Sequence, residues 1–304
     1  MAQSVAVGQR GRESEIIPAR RLFHITLRGT EAVLGERTWV MGVLNVTPDS
    51  FSNGGAFVGL AAAVRHGLEM FEAGADMVDV GGESTRPGGG ARVAANEEAG
   101  RVAPVIEALR KRGAGLLSVD TTRAQVARAA LDAGADLVND VSGFRFDAGM
   151  APLVAERRVP AVVMHLRGDF GGMHRQPAYG DVMGEVRAEL EEALRRGDEA
   201  GVDRSRVIVD PGIGFAKEAG HSLEALRRLP ELGALERPVL VGPSRKSFIG
   251  KVLDLPVGER LMGTAAAVAA CVFGGAHVVR VHDVREMVQV ARVCDAIVGG
   301  APRC

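Results

Sequence analysis

The chain has 304 residues, a formal net charge of −1 and 46% hydrophobic residues, so it is long enough for one large domain or two ordinary ones. The near-neutral charge argues against binding nucleic acid or an anionic membrane surface through a broad basic patch. Its three cysteines lack the spacing of a zinc site, and its first residues lack the apolar core of a signal peptide. We therefore expect a cytoplasmic protein with reduced thiols.

The chain begins with a polar segment, residues 1–19, that we expect to be flexible. Arg21–Arg28 and Thr38–Met41, separated by Gly29–Arg37, are typical of a short hairpin that would close the floor of the following domain. No linker composition interrupts the chain after this point, so we predict a single domain over residues 20–304.

Eight short apolar runs follow, and each leads into a polar residue. Stretches with the helical spacing of Ala, Leu and Val separate most of them, so strands and helices alternate along the chain. Near-continuous Val/Ile/Leu strands between helices indicate a parallel sheet covered by helices. Eight such units in roughly 250 residues predict a closed eight-stranded β/α (TIM) barrel with its site at the C-terminal strand ends. The runs and the polar residues that follow them are Val40–Leu44 (Asn45), Met77–Val78 (Asp79), Leu116–Val119 (Asp120), Leu137–Val138 (Asn139), Val159–Met164 (His165), Val207–Val209 (Asp210), Val239–Val241 (Ser244 to Lys246) and Val278–Val279 (Arg280 and His282).

Three connections after strands are longer than the usual ~2–6 residues. They span Val46–Gly59, Gly81–Val93 and Leu166–Gly180, and the first two are rich in Gly, Pro and Ser with embedded charges. Long loops at the active end of a barrel are typical of lids over a site.

Four polar residues from four predicted strand ends are expected in one mouth: Asp120, Asn139, Asp210 and Lys246. A carboxylate cage for a hard cation or a His/Cys set for zinc has a different composition. Alternating carboxylates, amide and ammonium instead suit a flat heterocycle that carries an amine, a ring N–H and a carbonyl. A ligand that lacks the matching edge would leave buried groups unpaired and would be rejected.

A second cluster favours anions. Asn45, Thr85, Arg86, Arg280 and His282 follow the first, second and eighth strands, which adjoin where the barrel closes. Arginine offers a planar fork to phosphate oxygens, and His and Asn add donors.

Other motifs are excluded or left open. The segment Gly242–Ser247 (GPSRKS) lacks the full P-loop pattern, although Ser247 is placed to open the next helix. No GxSxG elbow supports a serine hydrolase. His165 is equally consistent with a structural and a catalytic role, and Asp140 is typical of a cap for the next helix.

The stretch Leu261–Ala276 carries no charged residue. A helix on the outer ring of a barrel normally shows a polar stripe, so one apolar face of this helix would be exposed in a monomer. We predict a homodimer that uses this helix.

Several segments resemble one family in order along the chain. Met41–Gly55 (MGVLNVTPDSFSNGG) and Gly81–Gly88 (GGESTRPG) resemble the two signature segments of the dihydropteroate synthase family. The remaining blocks that match are SVDT (118–121), NDVSG (139–143), DPGIGF (210–215), SRKSFIG (244–250) and RVHD (280–283). The resemblance covers about Met41–Val298.

The resemblance implies a reaction that joins 4-aminobenzoate to 6-hydroxymethyl-7,8-dihydropterin pyrophosphate, releases pyrophosphate and needs Mg²⁺. It implies catalytic roles for Asp120, Lys246 and Arg280, and makes Asn45 the ligand linked to Mg²⁺. It also implies small-molecule substrates and a homodimer, without nucleic acid or membrane partners. The implied pterin-edge contacts are Asp120, Asn139, Asp210 and Lys246; Met164, Phe215 and Gly242 shape the slot; Thr85, Arg86, Arg280 and His282 contact substrate and pyrophosphate; Phe51, Pro87 and Ser247 contact 4-aminobenzoate.

Two residues depart from the family pattern: Ala216 and Ser222 stand where Gly and Asn are usual. Two other functions remain open from the sequence. One is a methyltetrahydrofolate-dependent corrinoid methyltransferase of the same barrel superfamily, and the other is an inactive pterin-binding paralogue.

Overall fold

The computed structural model describes residues 20–47, 55–83, 93–168 and 178–299, and within them an eight-stranded parallel barrel. The strands are β1 Phe23–Leu27, β2 Thr30–Leu34, β3 Trp39–Asn45, β4 Met77–Gly81, β5 Leu116–Asp120, β6 Leu137–Asp140, β7 Ala161–Met164, β8 Val207–Asp210, β9 Leu240–Val241 and β10 Val278–Val281. The α-helices are α1 Gly55–Glu72, α2 Ala95–Lys111, α3 Ala124–Asp132, α4 Met150–Arg157, α5 Val182–Glu199, α6 Ala219–Arg227, α7 Ser247–Leu253, α8 Leu261–Phe273 and α9 Val284–Val298.

The barrel strands pair in the order β8-β7-β6-β5-β4-β3-β10-β9. A parallel bridge between Val209 of β8 and Val239, the residue before β9, connects the two ends of this order and closes the barrel. Helices cover the outside of the barrel, and β4, β6, β7 and β8 are buried at every position. The predicted fold class is confirmed.

The N-terminal hairpin differs from its predicted position. In the structure β1 pairs with β2 in an antiparallel arrangement, with Phe23 opposite Leu34 at one end and Leu27 opposite Thr30 at the other. The predicted second arm, Thr38–Met41, instead leads into the first barrel strand, β3, and forms its beginning. A two-residue turn explains the difference. Arg28 and Gly29 both have positive φ, 53° and 74°, as in the tight turns that suit hairpin twist. Because β2 begins with polar residues, a search for apolar runs does not detect this strand.

The hairpin closes the floor of the barrel, as predicted. Ile25, Leu27 and Leu34 pack into one buried cluster with side chains from the N-terminal ends of the barrel strands, among them Met41 and Met77. Burying an aliphatic side chain of this size contributes roughly 1.5–3 kcal/mol. The floor is thus sealed by apolar packing, and the polar groups are left to the opposite end.

The long connections are described only in part. Residues 48–54, 84–92 and 169–177 lie outside the described residues. The first predicted loop was wrong at its end, because α1 already begins at Gly55. The predicted flexible segment, residues 1–19, also lies outside the described residues.

Candidate active site at the C-terminal end of the barrel

The C-terminal strand ends bring the predicted polar residues to one level. Asn45, Gly81 and Asp120 are register partners on β3, β4 and β5, and Asp120 is in turn opposite Asn139 on β6. Asp210 ends β8, opposite Met164 at the end of β7. Register partners in a parallel sheet present their side chains to the same face, so these residues share one mouth.

Arg280 joins the two predicted clusters. It lies within β10, and its Nε donates to Asp79 Oδ2 at 2.7 Å while its Nη2 donates to Asp120 Oδ2 at 2.7 Å. Asn139 Nδ2 also donates to Asp79 Oδ2, at 2.9 Å. Two carboxylates therefore hold the guanidinium of Arg280 in the mouth where the heterocycle is predicted.

The two strand-end aspartates have raised pKa values. Burial raises the pKa of Asp120 to about 7; Arg280 opposes this shift and Asp79 adds to it. Burial also raises the pKa of Asp210 to about 6, against the backbone hydrogen bond from Gly212 and the charge of Lys246. Ligand N–H donors would favour the ionised carboxylates, so this edge suits a heterocycle rich in such donors.

An apolar slot lies beside the carboxylates. Met164 belongs to a small buried cluster, against which Phe215 packs. Lys246 Nζ lies 3.8 Å from the centroid of the Phe215 ring, a cation–π contact, and its charge lowers the pKa of both Asp120 and Asp210. Gly242 directly follows β9, and a Cβ added there would lie 3.8 Å from Arg280 Cβ.

The side-chain oxygen of Asn45 is placed to serve as one hard ligand for a metal ion. A Cβ added to Gly81 would lie 3.8 Å from Asn45 Oδ1 and 3.6 Å from Asp120 Oδ2, so both oxygens border the space above this glycine. Among the described residues no three His, Cys, Asp or Glu side chains are grouped to hold a metal ion. Mg²⁺ is commonly held by one or two protein oxygens together with substrate phosphates and water, and Asn45 fits that mode.

The second predicted cluster is only partly described. His282 Nδ1 lies 3.0 Å from Ser244 Oγ, which also accepts from the His282 backbone N–H at 3.2 Å. Ser247 is exposed at the first position of α7, as predicted. Arg245, two residues before Ser247, forms an ion pair with Asp283. Phe51, Thr85, Arg86 and Pro87 lie outside the described residues.

Three buried polar residues near the mouth were not assigned a role from the sequence. Asp79 is fully buried two residues before the end of β4, and its Oδ1 has no hydrogen-bond partner among the described residues. His165 and Lys217 contact each other behind the turn after β8. Two features of the sequence could have indicated these residues. Asp79 is a charged residue inside an apolar strand run, and Lys217 is one of only four lysines in the chain.

The helix cap predicted at Asp140 was wrong, because the next helix begins at Met150 and the Asp140 contacts are within the turn before it. Asp140 Oδ1 accepts from the Ser142 backbone N–H at 2.8 Å and from its hydroxyl at 2.7 Å, and Oδ2 accepts from Phe144 N at 2.9 Å. These contacts stabilise the turn after β6 and begin no helix. Asp140 therefore has a structural role.

Comparisons with known proteins identify the family. The model of the pterin-binding enzyme family matches residues 41–282. A dihydropteroate synthase from a Synechocystis strain is 48% identical over 264 residues, which are 86% of this chain and 91% of the relative. The chain belongs to the pterin-binding enzymes, among the dihydropteroate synthases.

Two solved structures of this family extend the comparison to the fold. The dihydropteroate synthase of Xanthomonas albilineans with 4-aminobenzoic acid is 43% identical, with a TM-score of 0.85 over 93% of this chain and 100% of that one. The same synthase in complex with 7,8-dihydropteroate is 41% identical, with a TM-score of 0.79 over 89% of this chain and 97% of that one. No helix among the described residues is long and apolar enough to cross a membrane.

Proposed function

We propose that this pterin-binding enzyme condenses 4-aminobenzoate with 6-hydroxymethyl-7,8-dihydropterin pyrophosphate to give 7,8-dihydropteroate and pyrophosphate. The observation that carries the proposal is the convergence of Asp120, Asn139, Asp210 and Lys246 at one mouth beside an apolar slot, in a chain of this family. The solved relatives that hold 4-aminobenzoic acid and 7,8-dihydropteroate support the same substrates.

The polar edge would bind the pterin ring. Asp120 and Asp210 accept from the exocyclic amine and ring N–H groups, and Asn139 and Lys246 complement the remaining ring atoms. Met164 and Phe215 pack on the ring, with Gly242 leaving space on the other wall. Donors on the ring favour the ionised form of each carboxylate. The two negative charges then favour positive charge on the ring.

The first chemical step is cleavage of the bond between the pterin methylene carbon and the pyrophosphate oxygen. The bonding pair leaves with pyrophosphate, and the dihydropterin is left with a delocalised positive charge. Arg280 and His282, with Thr85 and Arg86 from the ESTRP segment, would hold the departing charge, which is the main electrostatic task of the site. When bound through Asn45, Mg²⁺ would neutralise part of the charge on the phosphate oxygens.

The second step forms the carbon–nitrogen bond. The amine nitrogen of 4-aminobenzoate donates its lone pair to the methylene carbon and then releases one proton to solvent. Phe51, Pro87 and Ser247 would hold the aminobenzoate. Because the carbon is strongly electrophilic, the step needs alignment and the exclusion of water more than a strong base.

Pyrophosphate release tests the function. We expect equal amounts of pyrophosphate and dihydropteroate, formed only when both substrates are present. Pterin binding without pyrophosphate release would identify an inactive paralogue, and methyl transfer from methyltetrahydrofolate to a corrinoid protein would identify the other alternative.

Metal dependence is tested in the same assay. We expect a chelator to stop pyrophosphate release and added Mg²⁺ to restore it, with Asn45→Ala requiring more Mg²⁺ for half-maximal rate. Identical Mg²⁺ dependence in Asn45→Ala and the wild type would contradict the role of Asn45.

The assembly and location are also proposals. A homodimer is supported by the uncharged face of α8, and a cytoplasmic location by reduced cysteines and the family's biosynthetic role.

A further inference from the structure

A buried charged group lies directly behind the pterin edge. Lys217 follows the turn after β8 and is 8% exposed. Its Nζ lies 2.8 Å from His165 Nδ1, 3.2 Å from the Gly212 carbonyl oxygen and 3.3 Å from the Phe215 carbonyl oxygen. A charged lysine has three N–H donors, and three acceptors are present. Each N–H donor of the ammonium therefore has an acceptor at this site.

The contacts assign the state of His165. The lysine ammonium can only donate, so His165 Nδ1 accepts and the ring proton is on Nε2. Nε2 lies 3.1 Å from Glu189 Oε2 on α5, although its N–H is not aligned to donate a hydrogen bond to that oxygen. Burial lowers the pKa of His165 to about 4, which keeps the ring neutral. The neutral imidazole thus lies between a cation and an anion.

The same lysine is coupled to the substrate-facing side of the turn. The Gly212 backbone N–H donates to Asp210 Oδ1 at 2.7 Å, while its carbonyl accepts from Phe215 N at 3.0 Å and from Lys217. The charge of Lys217 also lowers the pKa of Asp210. Moving the Gly212 and Phe215 carbonyls would displace both the carboxylate and the aromatic wall of the slot.

We infer that Lys217 is a positioning residue for the pterin ring. Its buried ammonium holds the turn that presents Asp210 and Phe215, and the negative charge of Glu189 stabilises the ammonium from the other side of the His165 ring. The inference rests on the proposed function for its substrate. It needs only pterin binding for its test, so a chain that bound the pterin pyrophosphate but released no pyrophosphate would refute the proposed function and leave this test intact.

The first experiment compares Lys217→Met with Lys111→Met, the same chemical change at a lysine whose side chain is 71% exposed on α2. We expect Lys217→Met to weaken binding of the pterin pyrophosphate in calorimetry by roughly tenfold or more. In turnover, the KM for the pterin substrate should rise while the KM for 4-aminobenzoate stays within about twofold. Lys111→Met should match the wild type in both assays.

The pH dependence separates this role from general support of the fold. Burial lowers the pKa of Lys217 to about 7; Asp210 and Glu189 oppose this shift, and Arg167 and Lys246 add to it. Loss of the proton removes one donor from the turn, so wild-type pterin affinity should fall as the pH rises above about 7. The fall should be absent in Lys217→Met.

Glu189→Gln provides a second, milder variant, because Glu189 is 39% exposed. Removing its negative charge should lower the pKa of Lys217 and move the alkaline fall in affinity to lower pH. A folded Lys217→Met with wild-type pterin affinity, or equal rises in both KM values, would overturn the inference. If Lys217→Met does not fold, an unshifted alkaline limb in Glu189→Gln overturns it and a shifted limb supports it.

Discussion

Arg280 is held by two carboxylates of unequal exposure. Asp79 is completely buried, whereas the Asp120 side chain keeps 9% of its surface exposed at the mouth. Asp79 also accepts from Asn139, so one buried oxygen orients both the guanidinium and the amide of the pterin edge. Its negative charge raises the pKa of Asp120 as well. Asp79 therefore controls the site without lying at a strand end.

Asp79→Asn tests this control. The change removes a charge of the same sign near Asp120 and leaves Arg280 paired with Asp120 alone, so the pKa of Asp120 should fall. In the proposed function the ionised form of Asp120 accepts from the pterin, so binding should strengthen as pH rises through that pKa. The acid limb of pterin affinity should move to lower pH, and the affinity at its maximum should fall roughly tenfold, which is ~1.4 kcal/mol, because Arg280 and Asn139 lose their fixed orientation.

Asp132→Asn is the matched control, since the Asp132 side chain is 56% exposed at the end of α3. It should leave the binding profile unchanged. An Asp79→Asn variant with the wild-type acid limb and wild-type affinity would show that Arg280 and Asn139 are positioned by other contacts.

At the scale of elements, the turn between β8 and α6 carries most of the local constraint. Gly212 has φ 67°, and a Cβ there would lie 2.1 Å from the His165 carbonyl oxygen, so only glycine fits. Ala216, where the family usually has Gly, also has a positive φ of 45°. Its carbonyl accepts from the Tyr179 hydroxyl at 2.8 Å. Ala216 thus adopts a left-handed backbone conformation at a cost in strain.

Ala216→Gly should relieve that strain. A left-handed backbone costs a non-glycine residue roughly 1–2 kcal/mol, and loss of the buried methyl group costs about 0.8 kcal/mol. We expect the free energy of unfolding in urea to stay equal or rise by up to about 1 kcal/mol. The control, Ala188→Gly on the exposed side of α5, should lower it by about 1 kcal/mol. Equal losses in both variants would mean that Ala216 is not strained.

At the scale of the whole molecule, periodicity and strand-end polarity were sufficient to predict the barrel and most of its mouth. Val/Ile/Leu runs identify buried parallel strands whatever their partners, and a polar residue after such a run has few other places to lie. Asp120 and Asp210 end their strands as predicted. These features depend on local sequence, which is why they are readable from it.

The features that were missed depend on partners distant in sequence. The strand β2 begins with two polar residues, so pairing with β1 identifies it better than composition does. Asp79 looks like an ordinary strand end until Arg280, 201 positions later, is seen to bind it. Lys217 looks like a surface lysine until its approach to His165 is known.

The exposed apolar surface of the barrel is concentrated on one side. Seven of the nine exposed large hydrophobic side chains in the described part of the chain lie between Val252 and Ile297. They belong to α7, α8, α9 and the segment between α7 and α8, and α8 packs against α9. A contiguous apolar face of this kind marks an interaction surface in a soluble protein. A two-fold contact buries the same patch on both subunits, so a second copy of the chain is the simplest partner.

Met262 on α8 is the most exposed of these side chains, at 77%, and it is the position at which the proposed homodimer is tested most directly. Light scattering at micromolar concentration should give twice the chain mass for the wild type. Met262→Glu should give a monomer, because burying an unpaired carboxylate in an apolar contact costs several kcal/mol. Leu223→Glu, at a side chain 43% exposed on α6, should remain dimeric. A wild-type monomer at all concentrations would refute the homodimer, and a Met262→Glu dimer would place the contact on another face.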